Sequence, residues 1–154
     1  MQGKAMTEDA TPTVYVGIDV CKDRLDVYLH PLGERFAVPN RTDGWRTLVR
    51  RLARSKLALV VLEPTSTYHR AVHRSLHAAG IAVAPFSPLR ARRFAEAMGE
   101  HAKTDAIDAR ILALVGERLR PDPAAPTCQA QEALEAQVAA RAAALAERVA
   151  VGNR

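Results

Sequence analysis

Cysteine is nearly absent. Cys21 and Cys128 are the only two in 154 residues. That excludes a disulfide framework and leaves no thiols at metal-ligand spacing. A reducing, cytoplasmic setting fits such usage. Long apolar runs are missing as well: none approaches the ~18 residues of a membrane-spanning helix. The opening MQGKAMTEDATPT lacks the apolar h-region of a signal peptide, so residues 1–13 read as a flexible leader. There is no internal repeat. Glycine is sparse, with eight residues in all.

What remains is the composition of a folded domain. Hydrophobic residues make up 48% of the chain, and a chain this long can bury roughly 68–70% of its unfolded surface. The net charge of +5 is unevenly placed. Residues 51–103 hold nine Lys/Arg against three acids, while the flanking segments are near neutral. A basic middle is the electrostatic footprint of a polyanion binder; an ordinary solvated, Arg-rich surface gives the same count.

The apolar pattern divides the chain into elements. VYVGIDV (14–20) is β-branched and nearly continuous, as in a buried strand, and RLDVYLH (24–30) alternates as in a strand with one wet face. The short gap between them makes a hairpin, and PLG turns the chain toward a third strand around Phe36 and Val38. Thr42 or Asp43 caps a helix carrying Trp45, Leu48, Val49 and Leu52, with Trp45 in the core. LALVVLE (57–63) is a buried strand that stops on an acid before Pro64. Ser66 to Ala79 reads as a helix closed by Gly80, IAVAP (81–85) as a fifth strand, and residues 87–99 as a short basic helix. Thr104 is placed to cap a last helix over 105–120. A Pro-rich break (121–127) precedes an Ala-rich helix (128–154), whose Val138, Ala142, Leu145 and Val149 form one narrow seam. Such a helix buries little alone and needs a partner. The order β-β-β-α-β-α-β-α predicts an α/β domain over 14–120. Its layout is a mixed five-stranded sheet flanked by helices, as in RNase H/RuvC-like folds, followed by a coiled-coil-like tail.

Four acids punctuate this layout. Asp19 and Glu63 end the apolar runs of the first and fourth strands, which are central neighbours in such a sheet. Asp105 and Asp108 stand at the start of the last helix. At about 100° per residue from Asp105, Asp108 falls near 300°, between Val115 (about 280°) and Leu119 (about 320°), on the buried stripe. Singly, each acid has an ordinary explanation: a turn, a helix start, or a favourable meeting with a helix dipole. Together their placement predicts four carboxylates converging around divalent cations, because like charges in a cleft raise one another's pKa and a hard cation removes that penalty. Two metals about 3.5–4 Å apart can flank one phosphodiester.

The segments GIDVCKDRLDV, LVVLEPTSTYHRAVHRSLHAAGIAV and RRFAEAMGEHAKTDAIDARILA resemble the DEDD transposases of insertion sequences, the IS-one-ten family, relatives of the Piv-type DNA invertases. The resemblance runs from about residue 14 to the end of the chain, through LRP and the closing ERVAVGNR. It implies a RuvC-like domain whose acidic tetrad is Asp19, Glu63, Asp105 and Asp108. It implies Mg²⁺, with Mn²⁺ as a substitute, together with DNA strand exchange and a structured bridge RNA that selects target and donor. Two departures stand out. Cys21 occupies a position where the family usually has serine, and it can pack there as a small side chain. The family's C-terminal serine domain, reached through a long helical coil, is not in this sequence, which implies a fragment lacking the covalent serine chemistry. Self-association through the tail helix is expected.

Other residues have weaker signals. Lys103, Arg90, Arg92 and Arg93 suit phosphate contacts, and Thr65 and Tyr68 are placed to orient ligands or nucleic acid. Lys103 and the arginines serve equally as solvated surface, and Tyr68 as helix core. His69, His73 and His77 recur every four residues, yet no acid or cysteine joins them at ligand spacing, and a solvent-facing stripe is expected. Two other functions are compatible with the sequence. One is a truncated, non-catalytic remnant that binds RNA, DNA or full-length transposase. The other is a sugar kinase or actin-like ATPase, which needs two lobes and Gly-rich loops that this chain is too short to supply.

Overall fold

The computed structural model describes residues 10–64, 66–100 and 108–153. In chain order the elements are β1 (Thr13–Val20), β2 (Arg24–His30), β3 (Glu34–Pro39), α1 (Thr42–Leu52), β4 (Lys56–Leu62), α2 (Arg70–Ala78), β5 (Val83–Pro85), α3 (Pro88–Ala97), α4 (Ala109–Leu119) and α5 (Gln129–Gly152). The five strands form one sheet in the order β3-β2-β1-β4-β5. The β3-β2-β1 meander is antiparallel, and β4 and β5 run parallel to β1. The mixed sheet with β1 and β4 as central neighbours is therefore as the sequence predicts.

Strand alternation builds a core on each face. Val14, Val16, Ile18 and Val20 of β1 pack with Leu25, Val27 and Leu29 of β2 beneath Leu48 and Leu52 of α1 and Val72 and Leu76 of α2. On the other face Leu59, Val61, Ala84 and Phe86 meet Ala91 and Ala95 of α3 and Ile111, Leu112 and Val115 of α4. Burial on both sides is why β4 reads as an unbroken apolar run. The same alternation turns Tyr15, Gly17 and Asp19 toward α4. At Gly17 the helix backbone rests on the strand itself: a Cβ there would lie 1.8 Å from the Ala109 carbonyl oxygen and 2.6 Å from the Ala113 nitrogen.

Several boundaries differ from the sequence reading. The last helix does not run continuously through 105–120. Asp108 is extended (φ −79°, ψ 161°) and caps α4, accepting a hydrogen bond from the Ile111 N–H at 3.0 Å. A short carboxylate competes for the free N–H groups of a first turn and so starts a helix there. Asp108 is therefore the cap and not a position on the helical stripe, and Asp105 and the expected cap Thr104 lie outside the described residues. Residues 66–69 form a turn before α2, with Ser66 at φ 52°, so the helix starts at Arg70 and Tyr68 is exposed instead of packed in a helix. Trp45 is half-buried against the core, and its indole N–H donates to the Asn40 side chain at 2.9 Å. Cys21, which could have packed as a small side chain, is exposed.

His73 departs furthest from the expected solvent stripe. It is 4% exposed, and its Nε2 donates to the Ala124 carbonyl at 2.9 Å. The Ala124 N–H in turn donates to the Val83 carbonyl at 2.9 Å, tying the Pro-rich segment along β5. Two ion pairs, Arg74–Glu132 at 2.6 Å and Arg70–Glu135 at 3.2 Å, then hold the first turns of α5 against α2. Beyond them α5 has no buried residue, and Val138, Leu145 and Val149 are exposed. Among the described residues no helix is long and apolar enough to cross a membrane.

Gly17→Ala should destabilise the domain by about 3 kcal/mol or more through overpacking, read as a lower midpoint in urea. Burial holds the His73 pKa below its ordinary value, helped by the charges of His77 and Arg74 and opposed by the Ala124 carbonyl. A histidine depressed in this way binds fewer protons folded than unfolded. Its contribution is intact above the ordinary histidine pKa and is lost as pH falls through the folded value. Stability should therefore decline as pH drops below the ordinary histidine value of 6.5, and decline less in His73→Gln, whose amide can still donate to Ala124.

Candidate active site

Asp19 is the third of the β1 residues that face α4, two positions beyond Gly17. The hairpin register sets Asp19 directly opposite Asp26 of β2. Because α4 settles onto Gly17, its N-cap Asp108 arrives beside the same strand end. A cavity of about 430 Å³ results, lined among the described residues by Asp19, Asp26, Val27, Arg35, Phe36, Asp108 and Ala109. Asp108 caps its helix with one carboxylate oxygen, which leaves the second for the cavity it lines.

The charges in this cavity oppose one another. Burial, then the neighbouring carboxylates of Asp26 and Asp108, raise the Asp19 pKa above its ordinary value, and Arg24 pulls it back. Arg24 is itself paired with Asp26 at 3.0 Å. Single oxygens of Asp19 and Asp26 and the Cys21 sulfur lie within 4.8 Å of one another. The Cys21 thiol is held above its ordinary pKa by desolvation and by Asp19 and Asp26, so the carboxylate oxygens are the available anionic donors. Two nearby arrangements frame the acids. Arg35 lies on the rim with its guanidinium 4.8 Å from the centre of the Tyr28 ring. Asn40 donates to the Cys21 carbonyl at 2.9 Å and the Tyr68 carbonyl at 3.1 Å, clamping together the turns that follow Asp19 and Glu63.

Not every candidate residue reaches the cavity. Glu63 is half-buried just beyond β4. The β1–β4 register pairs Ile18 with Leu62, so one further step brings Glu63 level with Asp19 on the face of Gly17 and Val61. It stands beside the cavity by register and is not part of its lining. Asp105, Lys103 and Thr65 lie outside the described residues. Arg90, Arg92 and Arg93 are exposed on α3, with Arg90 stacked over Phe86 at 4.7 Å. Tyr68 is exposed in the turn after Glu63.

Asp26 and Arg35 are site residues the sequence reading missed. The signal for Asp26 was present: once residues 14–20 and 24–30 form a tight hairpin with Val20 opposite Leu25, Asp26 must face Asp19. Arg35 has no comparable signal, because its place depends on how β3 adds to β2.

The comparisons with known proteins agree with this architecture. RuvC from T. thermophilus, solved in complex with a Holliday junction substrate, superposes with a TM-score of 0.52 at 15% identity, covering 75% of this chain and all of that one. The likeness establishes the RuvC-like fold. No curated protein matches the chain by sequence. A family model described as a transposase, of the DEDD type found in IS110 elements, matches residues 16–154. With that match over nearly its whole length, and with a RuvC-like sheet beneath it, this chain belongs to the IS110-type DEDD transposases.

Proposed function

We propose that the chain is the divalent-metal-dependent catalytic domain of a DNA transposase, with Asp19, Glu63, Asp105 and Asp108 as its acidic tetrad and a structured RNA as its guide. The observation that carries the reading is the meeting of Asp19 and Asp108 in one cavity, from positions 89 residues apart, through the Gly17 contact. The donor set fits a hard cation: carboxylate oxygens that disfavour one another when no counter-charge is present suit Mg²⁺ or Mn²⁺. Bound there, such ions supply activation of the attacking oxygen and stabilisation of the leaving oxygen at a phosphodiester.

The chain's own residues do the rest. Asp19 on β1 and Asp108 at the cap of α4 are fixed by backbone packing, so their spacing is set before any substrate arrives. Arg35 on the rim offers a guanidinium to a phosphate oxygen next to the scissile bond. Arg90, Arg92 and Arg93 on the exposed side of α3, with Lys103, hold the backbone of RNA or DNA further out. The RuvC neighbour was solved on a junction DNA, which supports DNA as the substrate. The exposed Val138, Ala142, Leu145 and Val149 seam of α5 serves pairing between copies.

Asp19→Asn tests the site from both sides. It should weaken Mn²⁺ binding in calorimetry by tenfold or more, and it should raise the melting temperature of the metal-free chain, because it removes a charge that the fold disfavours. Unaltered Mn²⁺ affinity would discard the metal site. Asp108→Asn separates capping from coordination. Asparagine caps as well as aspartate, so stability should hold while ion affinity falls, whereas Asp108→Ala should also cost about 1 kcal/mol in chemical denaturation.

A further inference from the structure

The outer side of α1 carries a concentration of positive charge that the catalytic reading leaves unused. Arg50 and Arg54, with Arg51 and its partner Glu34, wall a hollow of about 650 Å³ between α1 and the β2–β3 turn. Arg50 also walls a second hollow of about 650 Å³ with Arg46, between α1 and α2. Arg46 and Arg50 stand one helical turn apart, about 6 Å along the axis. Among the described residues none of Arg46, Arg50 and Arg54 is in an ion pair, whereas Arg51 is paired with Glu34 at 3.8 Å and Arg41 with Asp43 at 2.8 Å. This ridge lies on the sheet face opposite the acidic cavity. It also lies toward the other end of β1: Leu29 at the hollow pairs with Val16, about 10 Å along the strand from Asp19.

The chemistry of the ridge selects its partner. Arginines outside any ion pair present planar forks that fit phosphate oxygens; the Arg50 Nε also donates to the Arg46 carbonyl at 3.4 Å, along the same ridge. Leu32 is the one large exposed apolar side chain at the hollow, too little for a lipid surface. Single strands need aromatic faces for stacking. Here Arg51 covers Phe36 at 3.7 Å, and Trp45 is half-buried with its N–H committed to Asn40. A duplex backbone is the polyanion that remains.

We propose that the outer face of α1, with the turn that follows it, is a second DNA-binding surface, on which Arg46, Arg50 and Arg54 hold the phosphate backbone of a duplex segment that is not in the catalytic cavity. The choice of DNA over other duplexes rests on the transposase reading; the surface itself does not.

The test is fluorescence anisotropy of a labelled DNA duplex of about 20 base pairs on the full chain, in EDTA, across a salt series. Each lost phosphate contact should lower the slope of log K against log salt by about 0.9, so Arg46→Ala/Arg50→Ala/Arg54→Ala should lower it by about 2–3 and weaken binding at least tenfold. The corresponding triple lysine variant should keep the slope, which separates charge from any effect on folding. An RNA duplex of the same sequence should bind more weakly. No duplex binding by the wild-type chain, an unchanged slope in the alanine variant, or tighter binding of RNA would each overturn the proposal. EDTA keeps divalent ions out, so failure of the metal site leaves these outcomes unmoved.

Discussion

The contact between the backbone of α4 and Gly17 of β1 organises the acidic site. A side chain at that position would occupy the space of the Ala109 carbonyl. Without one, the helix lies flush against the central strand, and its cap residue comes to rest beside Asp19, two residues along the same face. The site is thus a consequence of how closely two backbones approach. It does not depend on a flexible side chain reaching across a gap, and that is what a constellation of mutually repelling carboxylates requires. Packing holds them together where their charges would drive them apart.

The domain keeps its charges in separate places. Acids collect in one cavity at the carboxyl end of β1, with Asp26 added by the hairpin register. Arginines collect on α3, on one side of the sheet, and on α1, on the other. A count along the chain places the excess in residues 51–103. In space the α1 ridge draws Arg46 and Arg50 from a segment that is neutral overall, because Asp19 and Asp26 of that segment face the opposite side of the sheet, while Glu34 and Asp43 on the α1 side are paired with Arg51 and Arg41.

The tail is attached by polar groups and not by a core. His73 gives up solvent to reach the Ala124 carbonyl, and Arg70 and Arg74 reach the acids at the start of α5. These contacts set where the helix leaves the domain. Arg70–Glu135 is exposed and Arg74–Glu132 half-buried, and ion pairs this near the surface contribute little to stability, so their effect is on direction more than on strength.

Most of the fold was legible in the sequence. Unbroken β-branched runs mark strands buried on both faces, alternation marks the meander, and short gaps require hairpins, so the strands and their order along the chain follow from pattern, and the central pairing of β1 with β4 follows from the RNase H/RuvC-like layout that this order matches. Asp19 and Glu63 were legible as strand-end acids for the same reason, and Asp26 follows from hairpin pairing. Tertiary structure decided what local pattern cannot carry. Asp108 caps a helix and does not lie within one, because a short acid at a helix start can satisfy the first-turn N–H groups. His73 is buried, because the chain returns from fifty residues away to give it an acceptor. The convergence of Asp19 with Asp108 is expected from the order of the elements, but the depth to which one helix sinks onto one glycine, which brings the two into one cavity, is fixed by packing in three dimensions.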